Sequence, residues 1–425
     1  MKNILFIFLM LISSQLFSQI LFDDFFENKT LRVDFILAGD AVSESAFLMD
    51  VIKEPFWGGT QTKLIDPFDY GEYRFEVIDK ASQKRIYTKG FCTFFEEWQT
   101  IREAEQMERA FYEVITFPLP KNKIVLNIYS RKWEGNFEKI LSTEIDPNSY
   151  LIKEVRTYNF KTEKLVDNGE PKNKVDIAFL AEGYTKNEMD KFKEDVKRMM
   201  KNLTATPPFD ETENKINVWI VNSISEDSGS DIPGDNVWKN TILNSSFYTF
   251  DSERYLTSQD YKTIRDVASL VPYDQIYVLV NTNKYGGGGI YNHYNLTSVD
   301  HSYSEIVFVH EFGHGFAGLA DEYYDGSTSY EDYVNIDVEP WQPNITTLKN
   351  FDAKWKNMLN DSVKIPTKPV MEYAEVVGVY EGASYTLKGV YRPYINCRMK
   401  TNEAKGFCPV CKKAILDMFQ YYCSE

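Results

Sequence analysis

The stretch "SEIVFVHEFGHGFAG", Ser304 to Gly318, constrains this chain more than any other, because it carries two of its four histidines. Ile306, Val307, Val309, Phe312 and Phe316 recur at helical spacing, which predicts an apolar helix with Ser304 as its cap. Residues four apart on a helix lie on one face, so His310 and His314 aim two imidazoles at one point. Glu311 projects beside them. So apolar a helix is buried, and burying two imidazoles and a carboxylate without partners is costly. A zinc ion about 2.0–2.1 Å from each nitrogen meets that requirement, and Glu311 is then placed as general base toward a water activated by the metal.

Two imidazoles leave a catalytic zinc one protein ligand short. "GLADEYYDG" follows at once and offers Asp321, Glu322 and Asp325. Gly318 stands where the helix can stop and the chain turn back, since glycine tolerates left-handed backbone. The third ligand is therefore expected within a few residues of the helix end.

The remainder sets the frame. A length of 425 residues suggests two domains, and 47 basic against 63 acidic residues give a formal charge of −16. That field disfavours nucleic acid and anionic membrane as partners. "MKNILFIFLMLISSQLFSQI" has the charge, short apolar run and small-residue end of a signal peptide, so residues 1–18 are expected to be removed and the chain to be secreted or periplasmic. No later segment is apolar enough to span a bilayer. Residues 19–158 alternate β-type runs ("LRVDFILAG", "YRFEVID", "RIYTKGFCTFF", "AFYEVITFPLP", "KIVLNIYSR") with turn residues, which predicts an antiparallel β-sandwich-like domain, with a helical piece at "EWQTIREAEQMERA". Polar residues 159–174 read as a linker. From 175 to 425 the pattern changes to α/β: "VDIAFLAEGY" is a buried strand, and Thr185 with Glu188 caps a helix burying Met189, Phe192, Val196, Met199 and Met200. "YGGGGIYN" is an edge strand for an extended peptide or a flexible loop. "SEDSGSDIPGD" is a calcium-binding or solvated acidic turn.

Of five cysteines, Cys397, Cys408, Cys411 and Cys423 crowd the C-terminus. In an exported chain disulfides closing that segment are the first expectation. The alternative is a structural zinc on Cys408 and Cys411 with Cys397 and Cys423.

"HEFGHGFAGLADEY" resembles the extended zinc motif of the metzincin metalloendopeptidases. Together with "VDIAFLAEGYT", "YGGGGIYN", "GVYEGASYTLKGVYRPYINCRMK" and "FCPVC", it is most similar to the bacterial IgA-specific metalloendopeptidase family, over about residues 175 to 415. The resemblance implies an α+β or α/β architecture, a β-rich domain preceding a metzincin-type zinc peptidase domain. It implies that His310, His314 and Asp321 bind Zn2+, that Glu311 is the base, and that the partner is a protein or peptide substrate. The usual pattern puts its glycine and last ligand three and six residues after the second histidine, where Ala317 and Ala320 stand here. Gly318 and Asp321 come one residue late, which leaves Glu322 as a competitor. The resemblance also implies a methionine turn under the metal, Met399 with Cys397 held by a disulfide, or else Met371. Thr401 stands where some members have tyrosine, and Tyr391 and Tyr394 are nearby aromatics able to stabilise an oxyanion or simply to pack. The alternative function is a non-catalytic, zinc-stabilised binding protein for a host or glycan surface. A zinc hydrolase of non-peptide substrates shares the same metal chemistry.

Overall fold

Strand-forming residues dominate the first third of the chain, and they build two four-stranded sheets in the computed structural model, which describes residues 20–324 and 333–423. The expected signal peptide and Asp325 lie outside the described residues. One sheet runs in the order Arg109–Pro120, Phe26–Gly39, Glu44–Glu54, Lys153–Glu154; the other runs Arg85–Phe91, Tyr73–Asp79, Ile124–Arg131, Phe137–Ile145. All pairings are antiparallel except the short Lys153–Glu154 strand. Leu31, Val33, Phe35 and Leu37 of the first sheet and Phe75 and Val77 of the second are buried in one cluster, and the Phe75 and Phe117 rings meet 5.8 Å apart between the sheets. Apolar side chains at alternate positions therefore fill the sandwich, although Arg32 and Asp34 on the other face of Phe26–Gly39 are buried as well.

Two of its strands, Glu44–Glu54 and Phe137–Ile145, escaped the sequence reading: much of each is exposed, the first carrying the unbroken apolar run Phe47, Leu48 and Met49 on its exposed part, so neither shows a clean alternation. The helix expected at 97–110 forms earlier, at Phe94–Gln99, capped by Thr93 accepting from Glu96 N at 3.2 Å, and is followed by a 3-10 turn at Arg102–Glu105. The strand Arg109–Pro120 takes over the end of that stretch.

The second half is built on a six-stranded sheet in the order Gly287–Ile290, Tyr294–Ser298, Gln275–Val280, Val175–Glu182, Ile216–Val221, Thr162–Val166. Its centre is parallel and its two edge strands are antiparallel. Every residue of Val175–Glu182 is buried, as a strand covered on both faces must be. Thr162–Val166 corrects the linker reading of 159–174: part of that stretch pairs with Ile216–Val221. Its polar composition reflects an edge strand with a wet side, which sequence alone cannot distinguish from a loop.

The Thr185–Glu188 capping box forms, and the following helix, Met189–Thr204, buries Phe192, Val196, Met199 and Met200. The histidine helix, Ser304–Ala317, lies against the sheet so closely that a Cβ on Gly315 would fall 1.9 Å from Asn295 Oδ1. Its N-cap is Tyr303, not Ser304; the Ser304 hydroxyl instead accepts from His301 N at 3.0 Å. The last helix, Pro409–Tyr422, packs beside it. No described helix is long and apolar enough to cross a membrane.

The two halves share one hydrophobic cluster, which passes from the sandwich to Ala178, Leu180, Val278 and Leu296 on one face of the mixed sheet. His293 sits in this seam, buried 3.1 Å from Glu113 Oε2 of the sandwich, and burial holds its imidazole well below the usual histidine range.

Candidate metal centre

His310 and His314 stand one turn apart, and the helix delivers their Nε2 atoms to within 3.0 Å of each other. The helix then ends at Gly318, whose left-handed backbone (φ 61°) lets its N–H return to His314 O at 2.9 Å and turns the chain back. That reversal brings Asp321 Oδ1 to 3.1 Å from His310 Nε2 and 3.3 Å from His314 Nε2. Glu322, its competitor, is turned away toward Asn344 and Cys411.

A tetrahedral cation with bonds of about 2.0–2.2 Å needs donors about 3.3–3.5 Å apart, and this triangle comes close to that spacing. Asp321 Oδ1 is buried and has no hydrogen-bond donor of its own, which is the orphaned atom a cation would satisfy. Three donors on one cation also leave a coordination position open. The residues present therefore fit a metal.

Each donor is oriented from behind. His310 Nδ1 donates to Arg398 O at 2.9 Å and His314 Nδ1 donates to Leu319 O at 2.6 Å. A carbonyl only accepts, so both Nδ1 atoms carry a proton and both Nε2 atoms are turned to the shared point, free to act as ligands once a cation displaces any proton there. Tyr385 Oη donates to Asp321 Oδ2, holding the carboxylate's other oxygen. Burial works to depress His314, but the Asp321 carboxylate overrides it and holds the imidazole up at about 9. Burial likewise opposes the Asp321 charge, and His314 overrides it, keeping the carboxyl well below its usual range. The site thus favours a positive charge between these groups. Burial pushes Glu311 above the ordinary carboxylate range, with the two imidazoles pulling the other way.

The donors open onto a cleft of about 400 Å³, lined in part by Glu311, Arg254, Tyr323, Tyr385 and the glycines of Gly287–Ile290. The glycine run is the last strand of the sheet, although Tyr255 bridges to Gly287 on its outer side. Close approach explains its composition: a Cβ on Gly289 would lie 2.3 Å from Glu311 O and 3.1 Å from His314 Cβ. Gly289→Ala is expected to push this strand off the histidine helix, costing about 1–3 kcal/mol in urea unfolding and weakening metal retention. Unchanged unfolding and metal content together would contradict that contact.

Met399 is buried beneath the helix, its Sδ 2.9 Å from where a Gly313 Cβ would stand, whereas Met371 is exposed. Tyr394 donates to Glu375 Oε2 at 2.8 Å and the Tyr391 backbone pairs with Thr346; neither lines the cleft. Asp227 and Asp231 of the acidic turn accept from Asn240 N and Lys239 N, closing their own loop. Tyr385, Tyr323 and Arg254 were missed by sequence reasoning; Tyr323 stands two residues after Asp321 in "GLADEY" and its nearness was a signal, whereas Arg254 and Tyr385 arrive from distant loops that no spacing ties to the helix.

The IgA Peptidase M64 family matches residues 164–373 and 368–419, and the Peptidase M64 N-terminus family matches residues 21–142. The chain belongs to the M64 peptidase family. No curated protein matches it. Membership in M64 makes it a peptidase, with a protein or peptide substrate, and indicates a metal-dependent one. In this M64 peptidase the metal-facing side chains lie within the part matched by the peptidase family, and Glu97 of the N-terminal domain adds to the wall of the cleft.

Proposed function

We propose that the chain is an exported zinc metalloendopeptidase of metzincin type, with His310, His314 and Asp321 holding the zinc and Glu311 as general base. The observation that carries this reading is the convergence of three donor atoms within 3.0–3.3 Å, with Glu311 alongside in the same cleft. When bound, zinc supplies polarisation of the scissile carbonyl and a lowered pKa for the attacking water.

The side chains do the rest. Glu311 accepts the water's proton and returns it to the leaving amine. Arg398 O and Leu319 O fix the imidazole tautomers, so both Nε2 atoms stay available as ligands. Gly287, Gly288 and Gly289 of the edge strand line the same cleft, where an extended peptide would lie beside their backbone. Among the described residues the donor set numbers three, which supports the catalytic reading over a zinc-stabilised binding protein, whose site would close with a fourth.

The test is cleavage profiling of the purified mature chain on a peptide library and on intact IgA, with its N-terminus sequenced. Hydrolysis is expected to fall to background with a chelator and to return with added zinc. A start near Gln19 supports export, and a retained leader argues against it. Chelator-resistant cleavage, or none with zinc bound, would sink the enzymatic reading.

A further inference from the structure

The cysteines expected to form disulfides are free thiols. Three of them converge on a second point in the core. Cys397, Cys408, Cys411 and Glu322 are all buried, and one donor atom from each lies within 4.8 Å of the others. Cys397 Sγ is 3.7 Å from Cys411 Sγ, and Cys411 Sγ is 3.3 Å from Glu322 Oε1. Sulfurs on one tetrahedral zinc, bonded at about 2.3 Å, stand about 3.8 Å apart; a disulfide would hold them at about 2.0 Å. The observed spacing matches the metal.

Two further observations point the same way. Glu322 Oε2 is buried with no hydrogen-bond partner, while Asn344 Nδ2 donates to Oε1 at 3.0 Å. Burying a carboxylate with an unsatisfied oxygen is costly unless a cation accompanies it. The sulfurs in turn receive backbone N–H groups: Cys408 N donates to Cys397 Sγ at 3.2 Å and Cys411 N to Cys408 Sγ at 3.5 Å. Cys408 is the N-cap of Pro409–Tyr422, where the helix dipole favours negative sulfur. Pairing any two of the three thiols would strand the third beside the carboxylate.

We propose that Cys397, Cys408, Cys411 and Glu322 bind a structural zinc, closed by four protein ligands and separate from the histidine site. The three thiols release their protons to solvent as the metal–sulfur bonds form. Cys423, the fourth ligand suggested by the sequence, lies elsewhere, with its Sγ 3.8 Å from Lys215 O. Asp321 and Glu322 thus serve two different centres from adjacent positions. Glu322 N also donates to Met399 O at 2.7 Å, and the neighbouring Arg398 O receives His310 Nδ1. The second ion therefore pins both segments that position the histidine site, as a positioning device rather than a catalytic one.

This site does not rest on the proposed peptidase mechanism, and its test avoids activity. The full chain, purified without chelator or reductant, is expected to hold about two zinc ions, and a His310→Ala/His314→Ala chain about one. Cobalt exchanged into that double variant is expected to show a thiolate-to-cobalt charge-transfer band, which Cys408→Ser removes. If Cys408→Ser fails to fold, thiol titration of the unfolded, metal-stripped wild-type chain still decides: all five cysteines should react. A double variant without metal, a cobalt spectrum lacking the sulfur band, or a disulfide among Cys397, Cys408 and Cys411 would overturn the proposal.

Discussion

Glu311→Gln is expected to lower peptide hydrolysis by about 10²–10⁴-fold while the chain keeps its metal, the range a positioned proton-transfer group supplies. The amide preserves the size of the side chain and its place on the histidine helix but cannot take a proton. The imidazoles and Asp321 are untouched, since their Nδ1 partners are the carbonyls of Arg398 and Leu319 and the Asp321 partner is Tyr385. Metal content should therefore match wild type, and kcat should fall with little change in KM. An unchanged rate in the metal-loaded variant would remove the base from Glu311. Loss of metal together with activity would show that Glu311 supports the site instead of acting in it.

The second large effect concerns stability. Arg32→Met should destabilise the fold by about 3–5 kcal/mol, read as a lower urea midpoint. Arg32, on Phe26–Gly39 of the sandwich, is fully buried and pairs with Asp34 at 2.8 Å, Glu54 at 3.4 Å and Asp266 at 2.8 Å. Asp266 lies on the helix Tyr261–Ala268 of the other half, so this cluster ties the halves together. Burial opposes the guanidinium charge, but Glu54, Asp34 and Asp266 override it and hold it above its ordinary pKa. Removing the one arginine leaves Asp34 and Glu54 buried with tyrosine hydroxyls, from Tyr112 at 2.6 Å and Tyr273 at 3.1 Å, in place of a cation, while Asp266 keeps Lys262 at 3.0 Å. Asp34→Asn added to Arg32→Met should recover part of the loss by removing a buried charge that has lost its cation. A midpoint within about 0.5 kcal/mol of wild type would mean that water reaches the cluster.

Local periodicity made much of this legible. Helical spacing in Ser304–Gly318 is enough to put His310 and His314 on one face and Glu311 beside them, because those relations span a single turn. The alternating strands of the sandwich and the Thr185–Glu188 capping box are local in the same sense. Relations between distant segments were not legible. Sequence left Asp321 and Glu322 in competition, since either carboxylate can be swung round by a glycine; only the packing of the returning chain against Cys411 and Met399 sends Glu322 one way and Asp321 the other.

The sequence by itself determined the paired imidazoles, the glycine that ends their helix and the strand content of the first domain, all set by backbone geometry over a few residues. Tertiary structure alone decided which carbonyls orient the imidazoles, that three cysteines gather around Glu322 as free thiols, and that a polar stretch at 162–166 completes a sheet. Apart from the His314–Leu319 bond, which spans one turn, those outcomes depend on contacts between residues roughly fifty to ninety positions apart, and chain order carries no periodic signal for them.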